Sequence, residues 1–294
     1  MPETRPKELV RREQRGAVAL VTIDHPPVNV LSAAVLNDLS ERLSEVEGEP
    51  AARVVVLQGA APKAFAAGAN IREMAPMGPA EAHVHGGRGQ AVTTQIEALP
   101  LPVIAAVHGS CLGGGTEIAL ACDFIVASDD AVFGQPEINL GVMPGWGGTQ
   151  RLPGRIGAAR AREWIYLGHP IPASRAFEQG LVHEVVPRAE LDAAAFRLAT
   201  QLSGKSALGL AAAKYAISRA VHPALAQGLS FELSMWQQLF GTPDQRAGMA
   251  AFLEKKAWTP VDRSEWSRAS EGFPWGPTRE RGRRASDPEA KGKN

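Results

Sequence analysis

The chain has 294 residues, 45% of them hydrophobic and 21% charged, which is enough apolar material for a substantial core and excludes disorder as the default state. Its 31 basic and 31 acidic side chains balance, excluding a global field of the kind that draws a protein onto nucleic acid or an anionic membrane. No run approaches the ~20 apolar residues of a membrane span, and residues 1–16 mix Arg and Lys with Glu instead of presenting an apolar signal core, so a cytoplasmic protein is expected.

In chain order, residues 17–23 and 53–58 predict buried strands, with helical spacing between them at residues 32–46. The stretch 79–89, which holds His83 and His85, has several glycines and a weak pattern, and predicts a mobile segment over a substrate pocket. Residues 103–107 and 124–127 repeat the strand signal, and the alternation of strand and helix points to an α/β fold. Cys111 and Cys122 lie in apolar stretches without the clustered spacing of a zinc site, so buried free thiols and no metal are expected. Beyond Gly154 only residues 181–186 read as a strand, while helical patterns occupy 158–167, 188–202, 207–220, 223–240 and 243–256. Residues 263–294 turn rich in Arg, Ser, Gly and Pro without a sustained period and predict a tail, ordered at most in its first part.

Three glycine-rich segments carry the chemistry. In residues 63–72, just after a strand, small side chains at Ala66, Ala67, Gly68 and Ala69 let a ligand approach the backbone, where turn N–H groups can donate to an oxygen. In residues 107–118 a strand gives way to Gly113-Gly114-Gly115 and then an apolar helix bearing Glu117; the unpaired N–H groups of a helix start suit an anion or a developing oxyanion. Neither a dinucleotide-binding fingerprint nor a P-loop can be read there. The third segment, residues 133–152, supplies a second carboxylate, Glu137, followed by Gly145-Trp146-Gly147-Gly148. Two carboxylates facing a pocket lined by main-chain donors make a general acid/base pair beside an oxyanion site. His108, before the triple glycine, reads as a structural side chain.

Residues 66–71, 104–117 and 134–152 closely resemble the signature stretches of the crotonase (enoyl-CoA hydratase/isomerase) superfamily, and the likeness runs from about residue 17 to residue 258. The resemblance implies a crotonase-like spiral of repeated β-β-α units in residues 1–200 and a C-terminal helical trimerisation region in 201–262, with 263–294 as the tail. It also implies a homo-oligomer, a trimer or a hexamer made as a dimer of trimers. The implied activity is enoyl-CoA hydration, with acyl-CoA as the substrate, coenzyme A as part of that substrate, and no separate cofactor.

By resemblance, the main-chain N–H groups of Ala69 and Gly114 are the oxyanion donors, Glu117 mainly activates water and Glu137 mainly protonates C2. Gly145 matches a main-chain position near the catalytic water, and Trp146 stands where many relatives carry a small residue, which bears on acyl-chain size. Asn70 stands where Asp is frequent and is expected to brace the turn after Ala69. Coenzyme A is expected along residues 66–72, its adenine against main chain near Ala67 and Gly68, with Arg72, Lys255 and Lys256 as candidates for its phosphates.

Other superfamily activities stay open. An isomerase, dehalogenase or decarboxylase need not keep both carboxylates, so Glu117 with Glu137 favours hydration, and a methylglutaconyl-CoA or other branched-chain hydratase can use the same pair. A different class, an RNA-binding crotonase-like protein, draws on Arg279, Arg281, Arg283 and Arg284, but Glu271, Glu280 and Asp287 dilute that cluster and no nucleic-acid partner is expected.

Overall fold

A computed structural model describes residues 8–260; the expected tail, with its Arg-rich stretch 279–284, lies outside the described residues. The first half contains β1 (Val10–Arg15), β2 (Val18–Ile23), α1 (Ala33–Glu47), β3 (Val54–Gly59), β4 (Ala64–Ala66), α2 (Ile71–Met74) and α3 (Pro79–Ala98). Then follow β5 (Val103–Val107), β6 (Ser110–Leu112), α4 (Gly114–Ala121), β7 (Phe124–Ser128), β8 (Val132–Gly134), a 3-10 turn (Pro136–Leu140), α5 (Gly148–Ile156) and α6 (Ala158–Leu167). The remainder is β9 (Ile171–Pro172), α7 (Ala173–Glu178), β10 (Glu184–Val186), a second 3-10 turn (Arg188–Glu190), α8 (Leu191–Ser203), α9 (Ala207–Val221), α10 (Leu225–Leu239) and α11 (Pro243–Glu254).

Successive turns of the chain lay one strand in each of two sheets and then add a helix. The larger sheet has the order β1-β2-β3-β5-β7-β10 and the smaller β4-β6-β8-β9. In the larger sheet all pairs but β1 with β2 are parallel; in the smaller, β4, β6 and β8 are parallel. The β-β-α spiral is therefore present as β3-β4-α2, β5-β6-α4 and β7-β8-α5.

Alternation along the strands explains why they read as continuous apolar runs. Ala19, Val21, Val55 and Leu57 face the main core, with α1 and the smaller sheet, whereas Val18, Leu20, Val54 and Val56 face α8 through Leu191, Ala194, Ala195 and Ala199. Strands covered on both faces lose the polar alternation of a half-exposed sheet. In α1, Ser32 caps the first turn, its Oγ accepting from Val35 N at 3.2 Å, and Val35, Leu36, Leu39, Leu43 and Val46 form the buried stripe. Each such fully buried side chain stabilises the fold by about 1.5–3 kcal/mol.

The structure departs from the sequence-based expectation in three places. Residues 79–89 are not a mobile segment but the first half of the 20-residue helix α3. Pro79 opens it, Glu81 Oε2 accepts from Gly78 N at 3.1 Å, and its glycines serve close packing: a Cβ on Gly86 would stand 2.8 Å from Trp236 Cζ3, and one on Gly89 2.2 Å from Trp146 Cδ2. Strand β1 had no predictive signal because Val10 is its one buried residue and the rest is charged or polar, as suits an edge. Strands β4, β6, β8 and β9, of two or three residues each, are too short for a period to show.

The C-terminal helices pack back on the core: Trp236 of α10, Phe240 at its end and Met249 of α11 cluster with Met74, Ala82, Leu140 and Val142. Helix α9, in contrast, buries no residue and leaves Leu208, Tyr215 and Ile217 exposed. Among the described residues no helix is long and apolar enough to cross a membrane.

Candidate active site

Parallel pairing of β4, β6 and β8 is what brings the three glycine-rich segments together. The register sets Ala66 beside Cys111 and Leu112 beside Gly134, so the loops that leave the three strands emerge side by side. Ends of adjacent parallel strands are where α/β folds build their sites.

From the first loop come Ala67, Gly68 and Ala69. Gly68 takes φ +91°, open to glycine, and lies against the second loop: a Cβ on it would stand 3.0 Å from Leu112 O. That turn directs Gly68 O to Leu31 N (2.9 Å), while Ala67 N donates to Val28 O (3.1 Å). Among the described residues no hydrogen bond occupies the Ala69 N–H. Asn70 braces the turn as expected, its Oδ1 accepting from Arg72 N at 3.1 Å and its Nδ2 donating to Glu73 Oε1 at 3.0 Å.

In the second loop Gly113 has φ +53° and donates to Gly134 O at 2.9 Å, tying it to the third loop. Gly114 is the first residue of α4, so its N–H lies outside the helical ladder. Both predicted donors thus come from facing turns with their N–H groups uncommitted. Thr116 Oγ1 secures the helix start by donating its one hydrogen to Cys111 O at 2.6 Å, with Gly134 O also within reach at 2.9 Å.

Glu117 sits one turn into α4 with 2% of its surface exposed. Its Oε1 accepts from Trp146 N at 2.7 Å and from Gly148 N at 2.8 Å. Burial, then the charges of Glu137 and Glu232, push its carboxyl well above the usual carboxylate range, and the two N–H donors pull it back. Glu137, in the 3-10 turn, is likewise raised, to about 8, chiefly by burial. Its Oε1 hangs over Gly113, 3.0 Å from where a Cβ there would lie. Buried Gln135, with its amide nitrogen turned to Glu137, lies 3.1 and 3.2 Å from the two carboxylate oxygens and also borders Glu117 across Gly148. Because the charge of Glu137 acts on Glu117, the two carboxyls titrate as a unit.

Gly145 is placed differently from Trp146. Its carbonyl accepts from Gln90 Nε2 at 3.2 Å, and the amides that hold Glu117 belong to Trp146 and Gly148. The Trp146 indole is buried, lying over Gly114, where a Cβ would meet Cζ3 at 2.3 Å, and tilted against His85 with ring centroids 5.7 Å apart. Burial lowers the pKa of His85, and its Nε2 has no hydrogen-bond partner among the described residues. His83 pairs with Gln237 Oε1 at 2.5 Å, and His108 Nε2 meets Ala61 O at 2.8 Å, a structural contact.

Arg72, Lys255 and Lys256 are exposed. Within the chain they are not gathered: the start of α11 meets the end of α2 through Gln245 Nε2 and Ala75 O (3.4 Å), whereas Lys255 caps the far end of α11 and Lys256 pairs with Glu254 at 2.7 Å. Cys111 and Cys122 are buried free thiols, and among the described residues no group of His, Cys, Asp and Glu is arranged to hold a metal ion. Two cavities, of about 400 and 920 Å³, flank α9, and neither carboxylate of the pair lines them.

Sequence reasoning missed Glu232, Gln90 and Gln135. Glu232 is 1% exposed and belongs to the buried stripe of α10 with Leu229, Met235 and Trp236; a lone carboxylate at a stripe position of a predicted helix was its signal.

Two layered, mainly parallel sheets in a β-β-α spiral, with backbone donors and a carboxylate pair where the smaller sheet ends, define a crotonase-like protein, and residues 13–260 match the family model described as Enoyl-CoA hydratase/isomerase. The chain belongs to that family. It is 40% identical to the short-chain-enoyl-CoA hydratase of Clostridium acetobutylicum, across 83% of this chain and 94% of that one. It is 38% identical to the crotonyl-CoA hydratase of Syntrophomonas wolfei, again across 83% and 94%. A crystal structure of an enoyl-CoA hydratase from Mycobacterium avium subsp. paratuberculosis superimposes with a TM-score of 0.78 at 29% identity, covering 87% of this chain and all of that one.

Proposed function

We propose that the chain is an enoyl-CoA hydratase that adds water reversibly across the 2,3 double bond of a 2-enoyl-CoA, giving the 3-hydroxyacyl-CoA. The observation that carries this reading is buried Glu117 with part-buried Glu137 beside two uncommitted N–H groups. Water attacking C3 pushes charge onto the thioester oxygen, and the N–H groups of Ala69 and Gly114 receive it; each such donor is worth roughly 2.7–4 kcal/mol in the transition state. Glu117 acts mainly as the base. Two amides fix its Oε1 and favour the ionised form, while Oε2 is left to take a proton from the water. Glu137, its carboxyl raised by burial, acts mainly as the acid that protonates C2.

Coenzyme A runs along residues 66–72, with its adenine against the main chain of Ala67 and Gly68 and its phosphates near exposed Arg72, joined by Lys255 and Lys256 from a neighbouring subunit. The exposed apolar side chains of α9 (Leu208, Tyr215, Ile217) support a trimer, or a hexamer made of two. Buried unpaired thiols at Cys111 and Cys122 fit the cytoplasm. Absorbance of the conjugated thioester, followed with enoyl-CoA substrates of graded length and branching, tests the activity, and light scattering on the same preparation tests the trimer. Loss of the conjugated band on the short unbranched member supports hydration; conversion of a 3-enoyl to a 2-enoyl thioester without hydration would replace it with isomerisation.

Trp146 limits the acyl chain. Its indole fills the space between Gly89 and Gly114, so Trp146→Ala is expected to raise kcat/KM for longer or branched substrates, relative to crotonyl-CoA, by about tenfold or more. An unchanged preference across the panel would remove Trp146 from the acyl site.

A further inference from the structure

Four consecutive amides, two from the turn before α5 and two from its first turn, alternate between two partners. Trp146 N and Gly148 N donate to Glu117 Oε1, at 2.7 and 2.8 Å. Gly147 N donates to Glu232 Oε1 at 2.6 Å, and Thr149 N to Glu232 Oε2 at 3.0 Å. We propose that Glu232, on α10 and outside the reacting pair, is a positioning residue that aims Glu117 by clamping residues 146–149 from the opposite side. The inference rests on Glu117 being the base of the proposed hydration.

The clamp is built rather than incidental. Gly147 has φ +107°, which lets neighbouring amides point to opposite sides, and a Cβ there would stand 1.9 Å from Arg151 Nη1. All the groups around Glu232 present hydrogens to it. Gln90 Nε2 donates to its Oε1 at 3.2 Å while also holding Gly145 O and Leu229 O. The Thr149 hydroxyl accepts from Gln150 Nε2 at 2.8 Å, which leaves its own hydrogen for Glu232 Oε2. Burial raises the Glu232 carboxyl above its usual range, and these donors pull it back toward the ionised form. Through it, α10 and α3 fix the loop whose other amides set the direction of the Glu117 carboxylate. Misplacement of a reacting group by about 1 Å can cost on the order of 100-fold in rate.

Two variants keep the charge and loosen the clamp. Glu232→Asp draws the carboxylate back by one methylene, and Thr149→Val removes one hydroxyl donor. Glu232→Asp is expected to lower kcat about 10- to 100-fold and Thr149→Val about 3- to 10-fold. KM and the calorimetric affinity for a non-reactive acyl-CoA should stay within about threefold. Weaker amide bonds destabilise ionised Glu117, so the acid limb of the rate profile should move to higher pH in both. The other charged or titratable groups facing Glu117 or its loop, namely Glu137 from the 3-10 turn, Arg151 from α5 and His85 from α3, are unaltered. Unchanged kcat overturns the inference, as does a fall in kcat with an unmoved acid limb, which a merely structural brace would produce. If Glu232→Asp fails to fold, Thr149→Val decides alone by the same criteria. A wild-type protein inert on all enoyl-CoA substrates would sink the hydratase reading instead; 13C NMR titration of the Glu117 carboxyl in wild type and Thr149→Val would still judge the clamp, an unshifted titration overturning it.

Discussion

Glu117→Gln and Glu137→Gln should each lower hydration by on the order of 10²–10⁴-fold, the usual worth of positioned acid/base catalysis. Gln keeps the size and much of the hydrogen bonding but cannot exchange a proton. Acyl-CoA binding should change far less, since the Ala69 and Gly114 N–H groups still face the thioester oxygen. The double variant should cost less than the product of the single losses, because the two carboxyls share one task. The pH dependence follows from their environment. Activity needs one proton on the pair: it falls at low pH, where both carboxyls are protonated, and at high pH, where both, raised by burial, have ionised. Glu137→Gln should therefore abolish the alkaline limb along with most of the rate. Steady-state kinetics over pH and calorimetry with a non-reactive acyl-CoA separate these outcomes. Near-normal turnover in either single variant removes that glutamate from the mechanism, and if Glu117→Gln is the tolerated one, an isomerase relying on Glu137 becomes the better reading.

Arg151→Met should destabilise the protein by about 3 kcal/mol, toward the lower end of what breaking a buried ion pair costs. Arg151 is 1% exposed, and its Nε and Nη2 hold Glu97 Oε2 at 3.1 and 3.0 Å, while Nη1 reaches Thr93 Oγ1 and Trp146 O, both at 3.2 Å. Methionine fills similar volume but leaves Glu97, itself largely covered, without its partner, and removes the link between α3, α5 and the Trp146 turn. A shift of roughly 6–12 °C in Tm is expected from that loss for a chain of this size, measured by calorimetry or denaturant titration. Stability unchanged within about 0.5 kcal/mol would mean that water or a rearranged side chain satisfies Glu97.

What was legible in the sequence was local. Apolar runs marked β2, β3, β5 and β7, helical spacing marked α1 and α6, and glycines before Glu117 and around Glu137 marked the turns, because propensity, period and backbone freedom are properties of neighbouring residues. The glycines of α3 misled for a related reason. Flexibility and close packing call for the same residue, and only the indoles of Trp146 and Trp236 lying against Gly89 and Gly86 distinguish the two.

The sequence by itself determined the class of fold, the order of the three segments and which carboxylates and backbone turns are the candidates for the site, since each is carried by a contiguous stretch. The tertiary structure alone decided that amides of Trp146 and Gly148 hold Glu117, that Lys255 and Lys256 stay apart from Arg72 within the chain, and that Glu232 holds Gly147 and Thr149 beside them. Those facts are hydrogen bonds and separations between residues far apart in the chain. They arise only when parallel β4, β6 and β8 align their loops and α3 and α10 close against them, so no pattern of neighbours could encode them.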